Sequence, residues 1–155
     1  MTFLLALAAA TLPVPAGEQP VDPYVVDNAN AGAVPVRGDA LWQAFHGQAG
    51  VGRIVDSLVL LNTSDPRISD IFKGQDLVRL RRTLKEQFCY ILGGGCDYTG
   101  RSMKDAHKDM GLQTADLAAL IENLQKAMRD EGVPFGAQNR LLAKLAPMKR
   151  DAIER

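Results

Sequence analysis

The chain has 155 residues, enough for one domain around a single core. Lys plus Arg and Asp plus Glu each total 18, a formal net charge of zero, which leaves no basic stripe for nucleic acid or an anionic membrane. Hydrophobic residues make up 46% and aromatic ones only 6%, a balance that suits a helical globule and not the alternating Val, Thr and Tyr runs of a β-sandwich.

Residues 3–12 (FLLALAAATL) form an apolar run too short to span a bilayer. Val14, Pro15 and Ala16 follow, the small or apolar residues a signal peptidase reads. The expectation is a signal peptide over 1–16, export to the periplasm, and no stable membrane insertion after cleavage. No Lys or Arg precedes the run, so the rival reading is an apolar tail that stays attached. Residues 17–38, rich in Pro, Gly, Asn and Asp, have no helical period and read as a linker or an ordered arm. The remaining 39–155 read as the folded domain.

From residue 40 the pattern is helical. Over 49–62, Val51, Ile54, Val55, Leu58 and Leu61 share one face. Asp65 and Pro66 then suit the cap and first position of a short helix. Over 76–92, Leu77, Leu80, Leu84, Phe88 and Ile91 stack at helical spacing, and Gly93-Gly94-Gly95 ends the run. Thr114 is placed to cap a helix reaching about Glu131, with Leu117, Leu120, Ile121, Leu124 and Met128 as its stripe. Gly132-Val133-Pro134 marks a stop and restart before a last helix carrying Leu141, Leu142, Leu145 and Met148.

The two cysteines, Cys89 and Cys96, lie seven apart across the triple glycine. A flexible turn of that kind brings two thiols within disulfide range, and an oxidising compartment would pair them. Two ordinary buried thiols is the alternative. Metal binding by the pair is disfavoured, because the spacing is not C-x-x-C and no third thiol exists.

His46 and His107 are the only imidazoles. His46 precedes Gly47 in a turn and reads as a surface residue. His107 stands on a short segment bounded by Gly100 and Gly111, facing the leucine-rich helix. A lone histidine is ordinarily a satisfied core or surface residue. Structural zinc wants four ligands, whereas haem iron takes one proximal imidazole and an apolar slot. Phe72, Leu77, Leu80, Leu84, Phe88 and Met103 are placed to wall such a slot.

Over roughly Leu41 to Arg150 the chain resembles a group I truncated haemoglobin. Phe72 in Ile71-Phe72-Lys73-Gly74, Phe88 before Gly93-Gly94, and Tyr98-Thr99-Gly100-Arg101-Ser102-Met103 leading to His107 and Gly111-Leu112 carry the likeness. Gly132-Val133-Pro134 and Ala146-Pro147 fall where the family has its last joint and last helix. The resemblance implies an all-α, two-over-two helical sandwich around a b-type haem, with His107 as the metal ligand and Tyr98 and Leu112 among the residues lining it. The propionates would meet basic residues among Arg79, Arg82, Arg101 and Lys104.

The departures fall on the distal side. The family's early glycine pair is His46-Gly47 here. Val59 stands where the family commonly has tyrosine, and Leu80 and Leu84 where glutamine or another polar residue often sits. Leu120 adds another apolar wall, Thr83 is the nearest hydroxyl, and Tyr90 points away. Oxygen in such a pocket would lose a charge-assisted bond of about 1–3 kcal/mol, a roughly 10- to 100-fold faster release. No Lys or His occupies a distal position, so a pentacoordinate iron is expected. The functional expectation is an exported haem protein that binds O2, NO or CO and is reduced by an unidentified partner. Nitric oxide dioxygenation or peroxidase-like turnover is the enzymatic alternative, and a haem-free helical interaction module is a third.

Overall fold

The computed structural model describes residues 11–21 and 25–153; most of the apolar run over 3–12 therefore lies outside the described residues. The fold is all-α. A short α1 (Ala40–Ala44) leads into α2 (Gly47–Ser64), followed by α3 (Leu77–Ile91), a one-turn α4 (Met103–Ala106), α5 (Thr114–Asp130), α6 (Phe135–Leu145) and a final turn, α7 (Lys149–Ala152). α2 packs across both α3 and α5, and α6 closes on α5, which makes the two-over-two sandwich. Val51, Ile54, Val55, Leu58 and Val59 of α2 are buried against Phe88, Leu124, Met128 and Leu141.

The α1–α2 corner turns on His46, whose φ of 61° is left-handed. That conformation favours glycine and costs a residue with a β-carbon about 1 kcal/mol. Its side chain is held by Glu131 just beyond α5: His46 Nδ1 lies 3.1 Å from Glu131 Oε1, and Arg53 Nη2 donates to the same oxygen at 2.6 Å. Hydrogen bonding from Arg53 lowers the Glu131 carboxyl to about 2; burial opposes this and His46 assists it. A carboxyl depressed on folding stabilises the protein above its ordinary value near 4.5, and the gain is lost as pH falls toward about 2. Glu131→Gln is therefore expected to lower the urea midpoint at pH 6 and to matter progressively less between pH 5 and 2. A midpoint difference that does not shrink on acidification contradicts this role.

The turn after α2 differs from the sequence expectation. Asp65 does accept from the Arg67 N–H (3.0 Å), but Pro66 opens a turn and the 3-10 segment spans Ser69–Phe72. Asp65 is instead a tie point: it holds the Arg67 guanidinium at 2.8 Å and accepts from the buried Asn123, which also donates to Asn62. Hydrogen bonds from Arg67 hold the Asp65 carboxyl well below the usual range. α5 begins at Thr114 itself, so its cap falls one residue before the expected one. Gln113 is the N-cap residue, and its N–H donates to Asp116 Oδ2 at 2.8 Å. The last helix breaks at Ala146, where Pro147 lacks the N–H an α-helix needs, and a 3-10 turn over Ala146–Met148 links α6 to α7.

α3 is capped by Asp76, whose carboxylate accepts from the N–H groups of Arg79 (3.0 Å) and Gln19 (2.7 Å), bonds that hold it below the usual carboxylate range. At the other end the chain turns through Gly93 at φ 84°. A Cβ on Gly94 would stand 2.7 Å from Cys89 Sγ and 2.9 Å from the Trp42 ring, so glycine is needed for the loop to close there. Cys89 and Cys96 form a disulfide with Cα atoms 5.6 Å apart. A bridge across seven residues restricts the unfolded chain by about 2.5 kcal/mol in the chain-entropy model. The double variant Cys89→Ser/Cys96→Ser is expected to lose about that much in urea unfolding, and an unchanged midpoint under oxidising conditions contradicts it.

Residues 25–38 form an ordered arm. A 3-10 turn over Asn28–Ala31 is capped by Asp27, whose own N–H donates to the Tyr98 carbonyl at 3.1 Å. Further along, Val36 N–H donates to Ile91 O (3.0 Å) and Lys144 Nζ reaches Val34 O (2.7 Å).

Candidate functional site

The short α4 is capped by Ser102, whose hydroxyl accepts from the Asp105 N–H at 3.1 Å. His107 follows as its C-cap residue, partly buried. Its backbone N–H donates to the Met103 carbonyl at 3.2 Å, and its Nδ1 lies 2.7 Å from the same oxygen. A carbonyl only accepts, so Nδ1 carries the proton and Nε2 presents a lone pair. Asp109 and Gly111, both left-handed at φ 60° and 64°, then turn the chain back to Leu112 and α5.

α3 meets α4 where Gln87 Nε2 reaches Met103 Sδ at 3.4 Å. At the C-terminal end of α3 Phe88 and Ile91 are 2% and 0% exposed. Towards its N-terminus Leu77, Leu80 and Leu84 occupy the same stripe, yet protein covers them only in part. Phe72, Met103, Leu112 and Leu120 are half-buried in the same way, while Val59 is fully buried. An inward apolar stripe left half covered in an otherwise close-packed fold is the unusual feature here.

Tyr98 is buried, and its hydroxyl donates to the Arg101 carbonyl at 3.0 Å. Burial, aided by the nearby Glu86 charge, pushes its phenol up to about 12. It braces the loop ahead of α4. Thr83 turns its hydroxyl onto its own helix, donating to Arg79 O at 3.0 Å. Tyr90 lines a surface cleft beside Val36, Gly38 and Asp97, on the arm side. His46 is anchored beside Glu131 at one end of α5, whereas His107 precedes the other. The helix between them is about 25 Å long, so the two imidazoles do not share a site.

Arg79 and Arg82 have other work. Arg82 donates through Nε and Nη2 to Glu18 (2.5 and 3.1 Å) and through Nη1 to Glu86 (2.7 Å) and Thr99 (2.5 Å). Arg79 pairs with Glu18 and Asp76 and donates to the Gln19 carbonyl. Glu18 is fully covered in these contacts. Arg101, just before α4, and Lys104, within it, are both exposed.

Sequence reasoning passed over Gln87. It falls on the apolar stripe of α3, is 5% exposed, and donates from Nε2 to the Ala31 carbonyl of the arm at 2.9 Å. A polar residue at a core position was the available signal.

Residues 40–154 match the bacterial-like globin family. The group 1 truncated hemoglobin GlbN of Synechocystis is 31% identical over 98 residues, which cover 61% of this chain and 79% of that protein. A group 1 truncated hemoglobin of Tetrahymena thermophila is 29% identical over 93 residues, 60% of this chain and 77% of the relative. The Fe(III) crystal structure of the Tetrahymena pyriformis truncated hemoglobin shares the fold, with a TM-score of 0.71 and 24% identity over 74% of this chain and 98% of that one. By its matched residues and its two-over-two architecture, the chain belongs to the bacterial-like globin family as a group 1 truncated hemoglobin.

Proposed function

We propose that this protein binds one b-type haem through His107 Nε2 and holds a diatomic gas in an apolar distal pocket. The observation that carries the reading is the 2.7 Å bond from His107 Nδ1 to the Met103 carbonyl. It fixes the tautomer and aims the free nitrogen, as proximal and other metal-ligating histidines require. The half-covered stripe of Leu77, Leu80 and Leu84, with Phe72 and Met103, suits the broad apolar face of a macrocycle.

Haem bound there would supply an iron atom able to take a gas ligand. The protein's part is then largely exclusion. Val59, Leu80, Leu84 and Leu120 offer no hydrogen-bond donor, and the Thr83 hydroxyl is spent on its own helix. With no distal Lys or His, no side chain competes for the iron, so the resting form is five-coordinate. A polar gas ligand is released quickly, while less polar carbon monoxide and nitric oxide lose little. A reductant from elsewhere keeps the site competent.

Export is part of the same proposal. Glu18, two residues beyond the expected cut at Ala16, is tied to Arg82 of α3, and the disulfide suits an oxidising compartment. The function test is nitric oxide consumption by the oxygenated ferrous protein with reductant present. A binder consumes at most one equivalent; sustained consumption over many equivalents replaces this reading with the dioxygenase.

A further inference from the structure

The arm lies outside the residues that match the family, which begin at residue 40, yet it reaches the neighbourhood of His107. α4 has only four residues, too few to hold its own geometry, so its position is set by what packs on it. α7 covers one side of it. Met103, whose carbonyl holds His107 Nδ1, has its Sδ 3.4 Å from Gln87 Nε2; the same nitrogen lies 3.7 Å from Met148 Sδ. One N–H of that nitrogen donates to the carbonyl of Ala31, itself 0% exposed, which leaves the other N–H to be shared between the two sulfurs. Gly32 closes the group: a Cβ there would stand 3.1 Å from Met103 Cγ and 3.0 Å from Met148 Cε, and its φ is +83°.

We propose that Gln87 and the Ala31–Gly32 turn of the arm are positioning elements for His107, acting through Met103. A buried amide that fixes a backbone carbonyl on one side and two thioethers on the other has one low-energy placement. The apolar neighbours of Met103 alone would leave a flexible side chain several. The Met103 carbonyl, and with it the imidazole direction, is therefore set partly by a segment preceding the globin core. The consequence for gas binding rests on the haem reading above; the placement of α4 does not.

Two variants test this. Gln87→Leu removes the donor at nearly constant volume, and Gly32→Ala presses on Met103 and Met148 from the arm side. In haem-free protein, amide exchange at Ala106 and His107 is expected to rise about tenfold in both. In the ferrous haem form, the iron–histidine stretching band in resonance Raman spectra is expected to shift, and haem transfer to excess apomyoglobin to run about tenfold faster. Val78→Ala, beneath the far end of the arm at Gly17, is expected to change none of these. Gln87→Leu and Gly32→Ala that lower the unfolding midpoint while leaving exchange at 106–107, the band and haem transfer as in the wild type overturn the proposal. Failure of the wild type to bind haem overturns only the haem reading, and the exchange measurement then decides on positioning.

Discussion

His107→Ala is expected to abolish the Soret band of the haem-reconstituted protein while leaving its helical circular dichroism unchanged. The side chain lies outside the buried cluster formed by α2, α3, α5 and α6. Its removal forfeits one hydrogen bond to the Met103 carbonyl, a loss of about 1 kcal/mol that a folded domain tolerates. No other imidazole can substitute, because His46 is held by Glu131 at the opposite end of α5. Free imidazole added to the variant should restore the band, since it can fill the volume the missing side chain leaves. A Soret band of undiminished intensity in His107→Ala, without added imidazole, would place the ligand elsewhere.

Leu84→Gln is expected to slow oxygen release about 10- to 100-fold, from a donor contribution of about 1–3 kcal/mol. Leu84 is the better site for the change than Val59. It is half-buried and close to glutamine in volume, whereas Val59 is fully buried and a tyrosine there has to displace packed neighbours. Carbon monoxide release should change far less, because that ligand gains little from a donor. Stopped-flow replacement of oxygen by carbon monoxide measures the first rate directly. Equal oxygen off-rates in the wild type and Leu84→Gln would mean that a donor already acts in the native pocket.

Much of this architecture was legible in the residues. The +3 and +4 spacing of Leu77, Leu80, Leu84, Phe88 and Ile91 gave α3 to within a residue at each end, because Asp76 and Gly93 are strong local punctuation. The Cys89–Cys96 pairing followed from the glycines between the two thiols. The boundary errors have local causes. Asp65 was claimed by the Arg67 side chain and by Asn123 across the core, so it ties α2 to α5 instead of starting a helix at Pro66. At α5 the backbone of Gln113 found Asp116, and Thr114 joined the helix.

The arm was the hardest part to read. Its residues have no period, and what orders it is long-range: Glu18 with Arg82, Asp27 with Tyr98, Ala31 with Gln87. None of these pairs lies within a window that a local pattern covers. The same contacts explain why Arg79 and Arg82, sensible partners for propionates by charge alone, are turned away to Glu18. Charge on a helix says what a residue can bind; the burial of a distant carboxylate decided what it does bind.

The most direct test is the absorption spectrum of the ferrous protein, first without oxygen and then with it. The expected result is a Soret band with the single broad visible band of a five-coordinate iron, then a two-banded visible spectrum on admitting oxygen that reverts when oxygen is flushed out. A sharp two-banded spectrum before any gas is admitted would show an internal side chain already on the iron, and no Soret band at all would show that this globin fold no longer holds haem.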